Sequence, residues 1–329
     1  MTAATTTNAP ASLNADTGRA SWSDIAVARY TWWLAGLTLL AAIALLVLGP
    51  PNAMSSAIIM VVAVGLIGIP HGAYDLAVGR TLLLPRLGRS WAPTFLVVYV
   101  VLALVAALLW IVEPWIGLSL LLVAGAAHWG VDDLELVCSP ARRLWLGTSR
   151  GALPVALPLT LHPGDTARIF EILTATSTVN ATRVQLLGTG ALVLAAPGLA
   201  WQLLSVRDTS TSRWRARVEV GVLVSWFVAA PPVLAFTVYF CVWHSVRHAL
   251  RSIGRIDAER PARAAATYVA WVIGPTIATW VGAAAVWVTL SGPDSLAPSH
   301  IAWQIVFVGL FALTVPHLVL EIAAARRAE

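Results

Sequence analysis

Lysine is absent from this 329-residue sequence: all 21 basic side chains are arginines, and charged residues of either sign make up only 11% of the chain. An average soluble domain carries about 25% charged residues, so an ordinary water-soluble globule is excluded. Cysteine is scarce as well. Cys138 and Cys241 lack the CxxC spacing of a cysteine-held zinc or iron–sulfur site. Both fall near predicted cytoplasmic helix ends, where a structural disulfide is not expected. The chain has no GxSxG elbow, no Ser-His-Asp series and no paired carboxylates of the hydrolytic kind. No basic stripe stands apart from the segment ends, so the net charge of +5 does not indicate a nucleic-acid partner. A basic-then-apolar leader is missing too. Residues 1–23 are rich in Ala, Thr, Ser and Asn and read as a disordered tail.

What the chain does have is apolar length. Apolar residues make up 58% of it and its mean hydropathy is +0.79. Runs of about 20 apolar residues, enough to cross a bilayer, recur throughout. The expected fold class is all-α, a polytopic integral membrane helical bundle of about eight to ten transmembrane segments in contact with the lipid bilayer. Residues 1–25 are expected to form a disordered cytoplasmic tail and residues 26–325 a single transmembrane catalytic domain.

Clear spans cover residues 32–48, 56–76, 92–112, 115–137, 186–206, 267–290 and 301–325. Residues 151–161 are apolar but short and carry Pro154 and Pro158, reading as a broken or short crossing. Residues 218–230 and 233–250 flank Pro231-Pro232 and read as two short helices or one kinked helix. Arginine placement arbitrates. With ten crossings and a cytoplasmic amino terminus, only Arg168 and Arg183 face outward. A single crossing over 218–250 would instead place Arg251, Arg255, Arg260 and Arg263 outside. The expectation is a multi-pass protein of the cell (inner or plasma) membrane.

The chain is organised around YFCVWHSVRHALR (239–251), which places His244 and His248 four residues apart in an apolar helical run. Residues at i and i+4 share one helix face, so both imidazoles can reach one metal ion. Histidine inside a membrane segment faces the bundle interior and marks function. In the ten-crossing arrangement His71, His128, His244, His248 and His317 lie at one depth on four helices, whereas His162 and His300 fall in outward loops. A layer of neutral imidazoles without cysteine suits zinc, copper or iron. Four nitrogens leave an octahedral ion two open positions, which dioxygen chemistry at ferrous iron requires.

Carboxylates recur one turn beyond three of these histidines: Asp75 after His71, Asp132 after His128, and Glu321 after His317. Metal-bound imidazoles commonly donate their other N–H to such a group. The alternative is that Asp75, Asp132, Asp133 and Glu135 mark the membrane boundary. His317 itself is open between a fifth ligand, an outer supporting residue and a pocket residue. Sixteen tryptophans include an interfacial belt, among them Trp22, Trp32, Trp33, Trp91, Trp115 and Trp145. Trp129, Tyr239, Phe240 and Trp243 flank the histidines where a substrate would pass.

Five motifs, GIPHGAYD (68–75), AHWGVDD (127–133), GALPVALPLTLHP (151–163), YFCVWHSVRH (239–248) and VPHLVLE (315–321), occur in this order. Together they resemble the motif set of the bacteriorhodopsin-related Brp/Blh family of prokaryotic β-carotene 15,15′-dioxygenases, from about residue 30 to about 325. The resemblance implies cleavage of the central double bond of β-carotene by O2 to give two all-trans-retinal. It maps the family's Fe(2+) ligands onto His71, His128, His244 and His248, and implies a functional link to a retinal-binding rhodopsin. Tyr74, beside His71, departs from the smaller residue expected there and would reshape the cavity. An apolar substrate is expected to enter sideways from lipid, through a tunnel lying more across the membrane than along its normal. Rival readings are a desaturase- or hydroxylase-like diiron enzyme, a haem protein, or a non-enzymatic carotenoid or retinal transport or partner protein. The single spaced histidine pair argues against the diiron class, and no inverted repeat supports the transporter.

Overall fold

Proline sets many of the helix boundaries. Pro114, Pro140, Pro163, Pro232 and Pro261 each occupy the first position of a helix, where the missing N–H costs nothing and the fixed φ favours the helical turn. The computed structural model describes residues 21–134, 139–176, 178–204, 210–257, 259–292 and 296–328. Among these residues there are fifteen α-helices and no strand. The tail expected over residues 1–25 lies outside the described residues up to residue 20, as do Glu135 and Cys138.

Helix α1 (Trp22–Leu48) starts ten residues before the expected span, behind a Ser21–Asp24 capping box. Next come α2 (Ala53–Ala63), a π-helical turn (Val64–Gly68), α3 (Ile69–Ala73) and α4 (Asp75–Leu87). Helices α5 (Trp91–Val112) and α6 (Pro114–Asp132) are joined by Glu113 alone. Helix α7 (Pro140–Gly151) is followed after one residue by α8 (Leu153–Leu161), so the short crossing expected over 151–161 is the second half of a longer, interrupted helix. It is succeeded by α9 (Pro163–Thr174), α10 (Ala181–Leu204) and α11 (Ser210–Ala229). Then α12 (Pro232–Thr237), a second π-helical segment (Val238–Ser245) and α13 (Val246–Ile256) form one continuous rod, and α14 (Pro261–Leu290) and α15 (Pro298–Ala328) complete the bundle.

Among the described residues, six continuous helical stretches are long and apolar enough to cross a membrane. One of them, Ala53–Val112, holds two of the spans expected from sequence. Their outer faces expose large aliphatic side chains such as Ile111, Leu194 and Val288, an arrangement that suits lipid and not water. The chain is an all-α, multi-pass membrane bundle.

The Pro231-Pro232 break is a reversal of direction. Trp226 on α11 donates its indole N–H to Ala235 O on α12 at 3.3 Å. Further from the turn, Glu219 on α11 is ion-paired with Arg247 on α13. Contacts that pair residues on both sides of the turn define an antiparallel hairpin, not a kinked single helix. Helix α1 flanks it: Tyr30 donates to Val242 O at 2.8 Å, and Trp243 donates to Thr38 Oγ1 at 3.1 Å.

Helix α6 packs directly on α7. A Cβ at Gly130 would collide with the backbone of Gly147 and Gly151, and one at Gly151 with Ala126 O. Glycine at these positions therefore lets the two backbones touch, and this fixes the height and rotation of His128 on α6. At the other end of the bundle α9 lies against several helix ends. Trp110 donates to Leu173 O at 3.1 Å, Gln304 to Ile172 O at 2.8 Å, and His162 Nε2 to Phe227 O at 2.7 Å.

Candidate metal centre

Five imidazoles from separate parts of the chain meet inside the bundle. His71 comes from α3, His128 from α6, His244 from the second π-helical segment, His248 from α13 and His317 from α15. All five are buried. Eight of their ten pairings have ring centroids between 4.9 and 6.4 Å apart. Potential ligand atoms of His71, His128 and His317 lie within 4.8 Å of one another, as do those of Asp132, His244 and His248.

His244 does not sit on a regular α-helix as the i, i+4 argument assumed, yet its ring is 6.0 Å from that of His248. The wider π-helical turn leaves carbonyls with displaced partners, and side chains meet them: Tyr30 at Val242 O, Ser245 Oγ at Phe240 O (2.7 Å) and Arg247 Nε at Trp243 O (2.6 Å). Such local departures from α geometry concentrate at functional sites.

The orientation of the rings follows from what their Nδ1 atoms touch. His71 Nδ1 meets Gly68 O, His128 Nδ1 lies 2.9 Å from Glu321, His248 Nδ1 lies 3.1 Å from Asp132, and His317 Nδ1 lies 2.8 Å from Asp75. Carbonyl and carboxylate oxygens accept, so each of these Nδ1 atoms carries the proton and each Nε2 presents its lone pair when the ring is neutral. His244 is the exception. Its Nδ1 is 3.9 Å from Asp133, too long for a hydrogen bond. The Nε2 atoms of His128, His244 and His317 are buried without a hydrogen-bond partner. Buried acceptors without a partner are costly, and a cation shared among these clustered rings would relieve that cost.

The carboxylates expected beside the centre are there, but on other partners. Asp75 meets His317 and not His71; Asp132 meets His248 and not His128; Glu321 meets His128, with His317 Nε2 further away at 3.7 Å. Helical spacing correctly put each acid on the histidine face, but the head groups bond across to neighbouring helices. Tyr99, which the sequence reading did not single out, donates to Asp75 Oδ2 at 2.9 Å.

Behind His244 and His248 lies an ionic network the sequence reading also missed. Arg247 contacts Asp133 at 2.6 Å and is ion-paired with Glu219. Arg150 reaches Glu219 at 2.5 Å, and Arg251 lies 3.2 Å from Asp132 and 3.4 Å from Asp133. Three guanidinium groups thus face three carboxylates. Arg150, in the last turn of α7, is drawn into the bundle by this pairing. Asp75 and Glu321 remain, and their partners here are histidines and Tyr99. These two carboxylates would add negative charge beside a cation held by the imidazoles. The signal for the network was available: Glu219 and Arg247 are ionisable residues within apolar stretches, which are rare unless paired or functional.

A cavity adjoins the histidines. It is lined by His71, His128 and His317, by the rings of Phe95, Tyr99, Trp129, Phe236 and Phe240, and by Leu96. Phe236 and Phe240 stack at 5.5 Å with an interplanar angle of 5°. The cavity reaches Pro275 and Thr279 on α14 and the lipid-facing Leu96 on α5, which is 51% exposed. Of the aromatic residues expected along a substrate path, Trp129 and Phe240 line it. Tyr74 is placed elsewhere, stacked on Tyr268 at 5.1 Å. Tyr239 packs edge-on against Trp129, and Trp243 is held by Thr38 beneath the Arg247 guanidinium. His162 and His300 lie apart from the centre: the former is bonded to Phe227, and the latter packs near Trp303.

Fold and site together define a multi-pass membrane protein with a buried polyhistidine centre compatible with metal binding. Residues 62–323 match the family model described as beta-carotene 15,15'-dioxygenase, and the chain belongs to that family. Curated relatives include "Beta-carotene 15,15'-dioxygenase" of uncultured marine bacterium 66A03, 27% identical over 77% of this chain and 88% of the relative. "Probable beta-carotene 15,15'-dioxygenase Blh" of Halobacterium salinarum is 28% identical over 76% of this chain and 79% of the relative. The probable enzyme Brp of the same species is 27% identical over 76% and 78%. No solved structure matches the chain significantly.

Proposed function

We propose that the chain is a non-haem Fe(2+) dioxygenase that cleaves the 15,15′ double bond of β-carotene with O2. One polyene and one O2 give two molecules of all-trans-retinal: the central C=C is broken and each new end becomes a C=O, so every atom is accounted for. The observation that supports this most is the cluster of five buried imidazoles beside an aromatic cavity, four of them with Nδ1 bonded to a carbonyl or carboxylate oxygen. His71, His128, His244 and His248 would hold the ion. Neutral nitrogen donors without thiolate fit ferrous iron. When bound, that iron supplies the activation of O2 that a closed-shell polyene lacks.

The chain's own residues supply the rest. Trp129, Phe236 and Phe240 offer flat faces along which a polyene can stack. Asp75, Asp132 and Glu321 hold three rings in the required tautomer. The apolar walls exclude water, and the reach of the cavity toward Leu96 and α14 supports lateral access from lipid. No side chain is required as a proton donor to a substrate that has no ionisable group.

The same reading places the protein in the cell membrane with a cytoplasmic amino terminus and the histidines in the inner half of the bilayer. Retinal leaving such a site supplies a retinal-binding rhodopsin in the same membrane. Metal analysis of the purified full chain, combined with a retinal assay on β-carotene, tests the proposal. Bound iron, no Soret band and retinal as the product are expected. Purified protein that binds iron yet leaves β-carotene intact, or that carries haem, would sink it.

A further inference from the structure

We infer that His317 is a fifth imidazole of the same centre, not merely a residue that supports four others. The inference rests on the metal-centre reading above and concerns which side chains reach the ion. Three observations place His317 on equal terms with the rest. Its ring centroid is 4.9 Å from that of His128, the shortest ring separation in the cluster, and 5.9 and 6.0 Å from those of His71 and His248. Its potential ligand atom groups with those of His71 and His128, all within 4.8 Å of one another. Its Nε2 is buried and without a hydrogen-bond partner, as is that of His128.

The way His317 is held points the same way. Asp75 engages Nδ1 through both oxygens, at 2.8 and 2.9 Å, and Tyr99 anchors the Asp75 carboxylate in turn. A histidine whose task was to orient another ligand would spend a ring nitrogen on that ligand. His317 instead receives a carboxylate on its outer nitrogen, as His128 and His248 do, which is the arrangement of a ligating imidazole. π-helical turns lie just before His71 and around His244, and Pro316 immediately precedes His317; such departures from regular α geometry concentrate at functional sites.

The chemical consequence is coordinative. Four imidazoles leave two positions on an octahedral ion, five leave one. One open position, in place of the two counted for four imidazoles, would still admit dioxygen, with the polyene held beside the ion by the cavity walls and not bound to it.

X-ray absorption at the iron edge tests this on the full chain loaded anaerobically with ferrous iron. Five imidazoles around a single iron are expected in the wild type. Four are expected in His317→Ala and His317→Gln, with the fifth restored when free imidazole is added to the alanine variant. Four imidazoles in the wild type, or an unchanged count in folded variants, would overturn the assignment and leave His317 as a proton-bearing partner of Asp75. Two irons per chain would overturn it in favour of separate centres. The wild-type count decides the matter even if both variants fail to fold. Wild-type protein that takes up no metal would instead defeat the metal-centre reading itself.

Discussion

Asp75 lies 2.8 Å from Nδ1 of His317, 242 residues away in sequence, although His71 stands only four residues before it. This exchange of partners repeats around the centre and ties α4 to α15, α6 to α13 and α15 to α6. Each carboxylate therefore does two things at once: it fixes a ring tautomer, and it joins two helices.

Asp75→Asn should lower iron affinity by about 10–100-fold, the usual cost of losing an outer partner of a metal-bound histidine. Tyr99→Phe should cause a smaller loss in the same direction, because Asp75 keeps His317. Chelator competition against ferrous iron measures both. Equal affinity in Asp75→Asn and wild type would show that this contact does not support the site.

Arg247→Ala leaves Glu219 and Asp133 as buried carboxylates that have lost a partner. Removing one member of a buried ion pair costs about 3–5 kcal/mol, so the variant should unfold at a clearly lower temperature in detergent. Its retinal yield should fall as well, since His244 and His248 flank the missing arginine. A melting temperature within a degree of wild type contradicts the proposed role of the network.

A methyl group at Gly130 has no space between α6 and α7. Gly130→Ala should destabilise the protein by about 1–3 kcal/mol and displace His128, lowering bound iron. Gly190→Ala on α10, with nothing within 4 Å of the added Cβ, is the control. It should be neutral or stabilising by up to about 1 kcal/mol, through helix propensity.

His162→Ala and His300→Ala should leave iron content at the wild-type level, with His162→Ala losing only about 1 kcal/mol for its bond to Phe227 O. His244→Ala and His248→Ala should lose both iron and retinal formation. Metal analysis of the four proteins separates the two groups; a fall in iron for either outward histidine contradicts the assignment.

The hairpin at Pro231 makes a topological prediction. With the amino terminus inside, a cysteine introduced at Pro231 should react with an impermeant maleimide added outside intact cells. One at Glu259 should react only after lysis. Both natural cysteines are replaced for this experiment. Labelling of both sites from the same side would mean that the hairpin does not span the bilayer.

Much of this architecture was legible before any coordinates. Apolar runs long enough for a bilayer leave the helix as the natural solution for open segments. The depth argument selected all five clustered histidines and set His162 and His300 aside. Position along a helix is almost one-dimensional, about 1.5 Å per residue, so spacing from the segment ends can group side chains before their partners are known.

What escaped was everything that depends on rotation and on neighbours. Helical spacing put Asp75, Asp132 and Glu321 on the right faces, yet could not say which facing helix each would meet. Tyr74, Tyr239 and Trp243 sat beside histidines in sequence but were turned away from the cavity, while Tyr99 and Phe236 were turned toward it. The interior charges Glu219, Arg150 and Arg247 compensate one another through contacts spanning 28 residues and more, and only packing decides such pairs.

The sequence alone determined the membrane class, the helical content, the candidate histidines and the family resemblance, because each depends on local composition and spacing. The tertiary structure decided the carboxylate pairings, the hairpin at Pro231, the glycine contact of α6 with α7 and the walls of the cavity. Those depend on how whole helices turn and approach one another, which the packing of many side chains settles together and no local pattern encodes.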